Sequence, residues 1–168
     1  MSVTKGFTCT CCGQEHGGLP FAQLLAAPAY WSDEFAGKPG NVLGDEMCVI
    51  DNEHFFVRGR IVLPVRDADE NFEWGAWVSL SKDNFARMGE VFDDPGRVHE
   101  PPYFGWLSVA LPGYEPTTLN LKTNLHTQER GIRPIIELEP TDHPLAVEQR
   151  EGITVARVQE FAEFALHR

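Results

Sequence analysis

Three of the chain's four cysteines fall within four positions near its start, in "FTCTCCGQEHGGLP", and a histidine follows them. Cys9 and Cys12 form C-x-x-C with Gly13 directly after. Two thiolates converging from a tight turn suit a tetrahedral zinc ion, and a glycine there tolerates the left-handed backbone that turns N–H groups toward sulfur. His16 adds an imidazole from the same loop, and Cys48 is the remaining thiol. The expected metal ligands are therefore Cys9, Cys12, His16 and Cys48, a Cys₃His zinc site tying the first segment to the body of the molecule. Cys11 stands beside Cys12 and is expected to point away, or to take the place of Cys48. No second paired motif lies downstream, so the competing account is a set of small buried hydrophobes. A dithiol–disulfide role is disfavoured, because the thioredoxin-like case places C-x-x-C after a strand at a helix N-terminus.

The other histidines carry weaker signals. His126 falls on the polar side of an alternating segment beside Asn124 and Lys122, which reads most simply as an exposed sheet face. Asp142 precedes His143 just before a helix; Thr141 or Asp142 is expected to cap that helix, although a carboxylate could orient His143 as a base. His54 is a spare ligand near Cys48 or a turn residue. No Ser-His-Asp order, phosphate-cradling glycine loop or helical H-E-x-x-H is present.

The segments that must position these groups read as strands in the middle and helices at the end. "CVID", "HFFVRGRIVLPV", "FEWGAWVSL", "YFGWLSVAL", "TTLNLKTNLHT" and "RPIIELEP" are rich in β-branched and aromatic residues. Phe72, Trp74, Ala76, Val78 and Leu80 share one face, which leaves Trp77 on the other, either under a second layer or exposed as a platform. Gly59 marks a bulge or close packing. Ser81 caps a short helix over "KDNFARMGEVF", Pro144 and Gly152 bracket a second, and Thr154 caps a third with an apolar stripe through Val158 and Phe161. The stretch 27–44 is an ordered excursion with a short helical piece and large aromatics. This pattern predicts an α+β fold: a mainly antiparallel sheet, one face packed and the other partly polar, covered by the C-terminal helix. One domain over 1–168 is expected, with residues 1–20 as a cysteine-rich knuckle packed on the sheet.

A net charge of −11, from 14 basic and 25 acidic residues, argues against nucleic acid and anionic membrane surfaces, both bound through clustered Lys and Arg. The basic residues are scattered along the chain. No apolar run approaches the ~20 residues that span a bilayer, and no signal-peptide core precedes the cysteines. The expected compartment is the cytoplasm, where thiols stay reduced.

With these stretches collected, the chain resembles the bacterial domain-of-unknown-function 2199 family. The resemblance rests on "CTCCGQEHGGLP", "MCVIDNEHFFVRGRI", "WGAWVSLSKDNF", "PPYFGWL", "LNLKTNLH" and "IELEPTDHPLAVEQREGIT" and covers nearly the whole length. It implies a bacterial, soluble, single-domain protein and supplies no catalytic assignment. The expectation from the residues is a protein with a structural zinc ion that works by binding a basic protein partner through its acidic surface. The alternative is a zinc-dependent hydrolase with three protein ligands and an open position, flanked by Glu15, His54 or His126.

Overall fold

A computed structural model of the chain describes residues 6–10 and 13–167, the side chain of His16 apart. In chain order the strands are β1 (Phe7–Thr8), β2 (Glu15–His16), β3 (Ala22–Leu24), β4 (Val42–Leu43), β5 (Met47–Ile50), β6 (His54–Leu63) and β7 (Phe72–Leu80). Helix α1 (Lys82–Glu90) follows, then β8 (Tyr103–Leu107), β9 (Lys122–His126), β10 (Ile135–Leu138), α2 (Pro144–Glu151) and α3 (Val155–Leu166). No described helix is long and apolar enough to cross a membrane.

The expected antiparallel sheet is a closed barrel. β6 and β7 pair along their whole length, from Phe55 opposite Leu80 to Leu63 opposite Phe72. From β7 the ring passes antiparallel through β8, β9 and β10, and it returns to β6 by a parallel pairing of Ile135 with Arg60. Both long strands carry more than one neighbour on an edge. β7 pairs with β8 near its end and with β3 near its start, while β6 pairs with β5 before it reaches β10. Closure removes the distinction between a packed and a polar face: one side of each strand fills the barrel, and the other is covered or wet according to what lies outside.

Inside, Ile61, Trp74, Val78, Leu107, Leu125 and Ile136 have no exposed surface. Gly59 is required by close packing rather than by a bulge, since a Cβ there would lie 2.8 Å from Ile136 Cγ1. α3 seats Phe161 on the aromatic end of the core, its ring 5.0 Å from Phe72 and 4.8 Å from Trp74. Outside, Trp77 is fully buried. Its Nε1 donates to the Leu25 carbonyl at 2.9 Å, and the Arg58 guanidinium lies 4.7 Å over its ring. The segment after β3 is thus the second layer that the outward tryptophan requires.

Local signals behave as their chemistry dictates. Ser81 and Thr154 accept from Asn84 N and Arg157 N as helix caps, and Asp51 and Asn52 take the left-handed conformation in the β5–β6 turn that short polar residues tolerate. α2 differs from expectation: the cap is the His143 ring, which accepts from Leu145 N at 3.1 Å, while Thr141 accepts from His143 N.

Candidate functional site

β1 and β2 form a hairpin, Phe7 opposite His16, whose turn begins at Cys9. Cys9 O accepts from Gly13 N at 2.9 Å, and Gly13 has φ +70°, the left-handed conformation that C-x-x-C-G anticipates. Three side chains of α3 and its end fasten the hairpin. Glu163 accepts from Thr10 N at 2.6 Å and Thr10 Oγ1 at 2.8 Å, Gln159 donates to Thr8 O, and Cys9 Sγ lies 3.1 Å from His167 Nε2. Cys11 and Cys12 lie outside the described residues, as does the side chain of His16. Cys48 arrives on β5 opposite Phe56, with no exposed surface, and burial pushes its thiol up to about 11. Among the described residues no group of three or more His, Cys, Asp or Glu side chains is arranged to hold a metal. His167 is the participant that sequence reasoning missed. Nothing in the spacing marks a histidine at the far end of the chain as the neighbour of Cys9.

The other histidines do not converge on a reactive centre. His126 contacts Glu137 at 3.2 Å on the exposed barrel surface. His143 uses both ring nitrogens structurally: Nδ1 accepts from Leu145 N, which leaves Nε2 to donate to the Pro116 carbonyl at 2.9 Å. A ring committed in this way caps a helix and is not a free base. His54 is exposed at the start of β6.

A cavity of about 770 Å³ lies beside β6, bounded by β5, α1, the turn after α1 and the segment before β10. Phe85, Met88, Val91, Phe92, Ile132 and Pro134 supply apolar walls. The polar lining is Arg58, Arg60, Arg97, Arg133, Glu46 and Thr127. Four of the chain's 14 basic residues therefore meet on one cavity with a single carboxylate, in a protein of net charge −11.

Each guanidinium has a different occupation. Arg133 grips Glu46 through two nitrogens at 2.8–3.0 Å, and Arg60 pairs with Glu73 at 2.9 Å. Arg97 donates to the carbonyls of Gln128, Phe92, Glu129 and Ile132, closing the loop between β9 and β10 onto the end of α1. Arg58, on the ladder directly opposite Trp77, donates Nη2 to the carbonyls of Leu25 and Ala26 at 3.0 and 3.2 Å, and its Nε has no partner among the described residues. Desolvation first, then the Arg133 charge, lower its pKa; Glu46 and Asp45 act the other way. Of four buried side-chain polar atoms without a partner among the described residues, two, Arg58 Nε and Thr127 Oγ1, belong to residues that line this cavity, although the atoms themselves are buried beneath its surface.

Fold and site together define an α+β protein built on a closed small β-barrel, with a helix over one end and an arginine-bearing apolar cavity on its flank. The chain belongs to the family described as "Uncharacterized protein conserved in bacteria (DUF2199)", which it matches over residues 8–153. No curated protein and no solved structure matches it.

Proposed function

We propose that the protein binds a small amphipathic anion in the cavity beside β6. The observation that supports this best is the cavity's composition: apolar walls of ligand-pocket size, with four arginines against one acid. Arg60 and Arg133 are each paired with a carboxylate and Arg97 with carbonyls, yet four guanidinium groups against one acid in the lining leave the cavity with a positive excess that favours an anion. Cationic lining also moves the reading from a basic protein partner toward a small anion. The test is fluorescence titration with anilinonaphthalene sulfonate, an apolar anion. Saturable binding is expected, and Gly89→Phe should abolish it. Gly89 lines the cavity, a Cβ there meets nothing within 4 Å, and replacing a helical glycine does not weaken α1. Unsaturable binding, or binding unchanged in a folded Gly89→Phe protein, would refute the reading.

A second reading is favoured by Cys9 and His167. We propose a structural zinc ion held by Cys9 and Cys12 with imidazole from His16 or His167, Cys48 being the weaker fourth candidate because its thiol sits in apolar surroundings. Gly13 and the Cys9 turn fit the donor set. When bound, zinc would supply a cross-link between the hairpin and α3. Elemental analysis of protein purified without chelator decides it, with one zinc per chain expected.

A further inference from the structure

We infer that Arg133 is the cavity's anion receptor and that Glu46 is its resident occupant, a carboxylate that the ligand's own oxyanion displaces. This rests on the cavity reading above and supplies its receptor and its built-in competitor.

The pair lies where one edge of β6 changes partner. Arg58 N donates to the Glu46 carbonyl at 3.0 Å and Arg60 N to the Pro134 carbonyl at 2.8 Å. The segment entering β5 and the segment entering β10 therefore follow one another along that edge, with Gly59 between them, and both line the cavity. Their side chains meet across the seam: Arg133 Nε and Nη2 close on the Glu46 carboxylate at 2.8–3.0 Å. A guanidinium fork that holds one carboxylate in this way has the geometry for another oxyanion, because carboxylate, sulfonate and phosphate monoester all offer a pair of oxygens to two parallel N–H groups.

Access and cost both favour exchange at this arginine. Arg58 and Arg97 are each 9% exposed and tied to backbone carbonyls, whereas the Arg133 and Glu46 side chains are 36% and 47% exposed. The Glu46 carboxylate makes no other hydrogen bond among the described residues. An exposed ion pair shifts an equilibrium by at most about fivefold, so an incoming anion meets little resistance from Glu46. After desolvation, the charges that act on Arg58 are those of Arg133, Glu46 and Asp45, which places them in one neighbourhood. With Glu46 turned away, two cations remain there against Asp45, and a single negative charge from the ligand restores the balance.

The experiment compares two probes in fluorescence titrations of the full chain: anilinonaphthalene sulfonate, and N-phenyl-1-naphthylamine, the same rings without the sulfonate. Glu46→Gln should tighten the sulfonate about two- to fivefold, since a neutral amide does not compete for the fork. Arg133→Gln should weaken it about tenfold, the scale of losing a hydrogen bond to a charged group. Neither variant should move the neutral probe by more than about twofold, because the apolar walls are untouched. Both variants break the same bridge, so a merely structural role shifts both affinities the same way, and opposite shifts are the signature of receptor and competitor. Sulfonate affinity that moves in the same direction in both variants, that stays unchanged in either, or that is followed by the neutral probe overturns this inference while leaving the cavity reading intact. A wild-type protein that does not bind the sulfonate saturably overturns both.

Discussion

Replacing Gly59 with alanine tests whether the barrel is closed at the point where β10 meets β6. The added Cβ would lie 2.8 Å from Ile136 Cγ1, 3.0 Å from Ile136 Cδ1 and 3.0 Å from the Pro134 carbonyl oxygen. That carbonyl is also the acceptor for Arg60 N at 2.8 Å, so it cannot withdraw without loosening the β6–β10 junction. Overpacking of this kind costs about 1–3 kcal/mol. Gly59 stands in extended backbone, where alanine recovers about 0.5–1 kcal/mol of unfolded-state entropy. The net expectation is a loss of about 1–2 kcal/mol, or roughly 2–8 °C in Tm for a chain of this size. Urea unfolding followed by the fluorescence of buried Trp74 and Trp77 measures it. The double variant with Ile136→Val is more telling. Alone, Ile136→Val should cost about 0.5–1.5 kcal/mol by opening a void. In the Gly59→Ala background the missing Cδ1 relieves one of the three close contacts and leaves a shorter side chain free to shift, so the same change should cost at least about 0.5 kcal/mol less than it does alone. A stabilising Gly59→Ala, or a double variant additive within about 0.5 kcal/mol, would refute this account of the barrel interior.

Phe161→Ala should cost about 3–5 kcal/mol, seen in thermal melts and as a weakened near-ultraviolet dichroism signal, because the ring is fully buried among Phe72, Trp74 and Tyr114. Arg97→Lys should destabilise by about 3 kcal/mol or more, read by urea unfolding, since an ammonium cannot span four carbonyls fixed by a planar fork. The Thr10 backbone N–H holds the Glu163 carboxyl below its ordinary value of 4.5. Its contribution to the hairpin is present above that pH and lost as pH falls through the lower, folded value. The protection factor of the Thr10 amide against hydrogen exchange should accordingly fall in acid, and Glu163→Gln should flatten that response. If zinc is present, Cys12→Ser should remove it and lower Tm sharply, whereas Cys48→Ala should retain metal in elemental analysis.

Strand β7 and the caps of α1 and α3 were legible because their information is local: two-residue alternation over Phe72–Leu80, and a hydroxyl placed to accept from the first helical turn. Barrel closure was not legible. It depends on a parallel pairing of Ile135 with Arg60 and on two strands sharing their edges, and no short-range pattern encodes either. Trp77 could be placed on the outer face, but only the carbonyls of Leu25 and Ala26, with Arg58 beneath them, show what covers it. The cavity was invisible for the same reason. Its arginines sit at 58, 60, 97 and 133, scattered in sequence, and dispersal along the chain says nothing of dispersal in space. The cysteine motif was conspicuous because its residues are adjacent, while its contact with His167 joins opposite ends of the chain.

The ring has a consequence for synthesis on the ribosome. β6 and β7 are neighbours in sequence and can zip together as soon as both emerge, but the second edge of β6, filled by β5 over His54–Val57, waits for β10 at Arg60. Between Leu63 and Ile135 translation at about 5–20 residues per second takes roughly 4–15 s. For that interval the nascent protein presents an unfilled backbone edge and half a barrel of hydrocarbon to the cell, so its first moments favour chaperone engagement and slow, uncrowded elongation through this stretch.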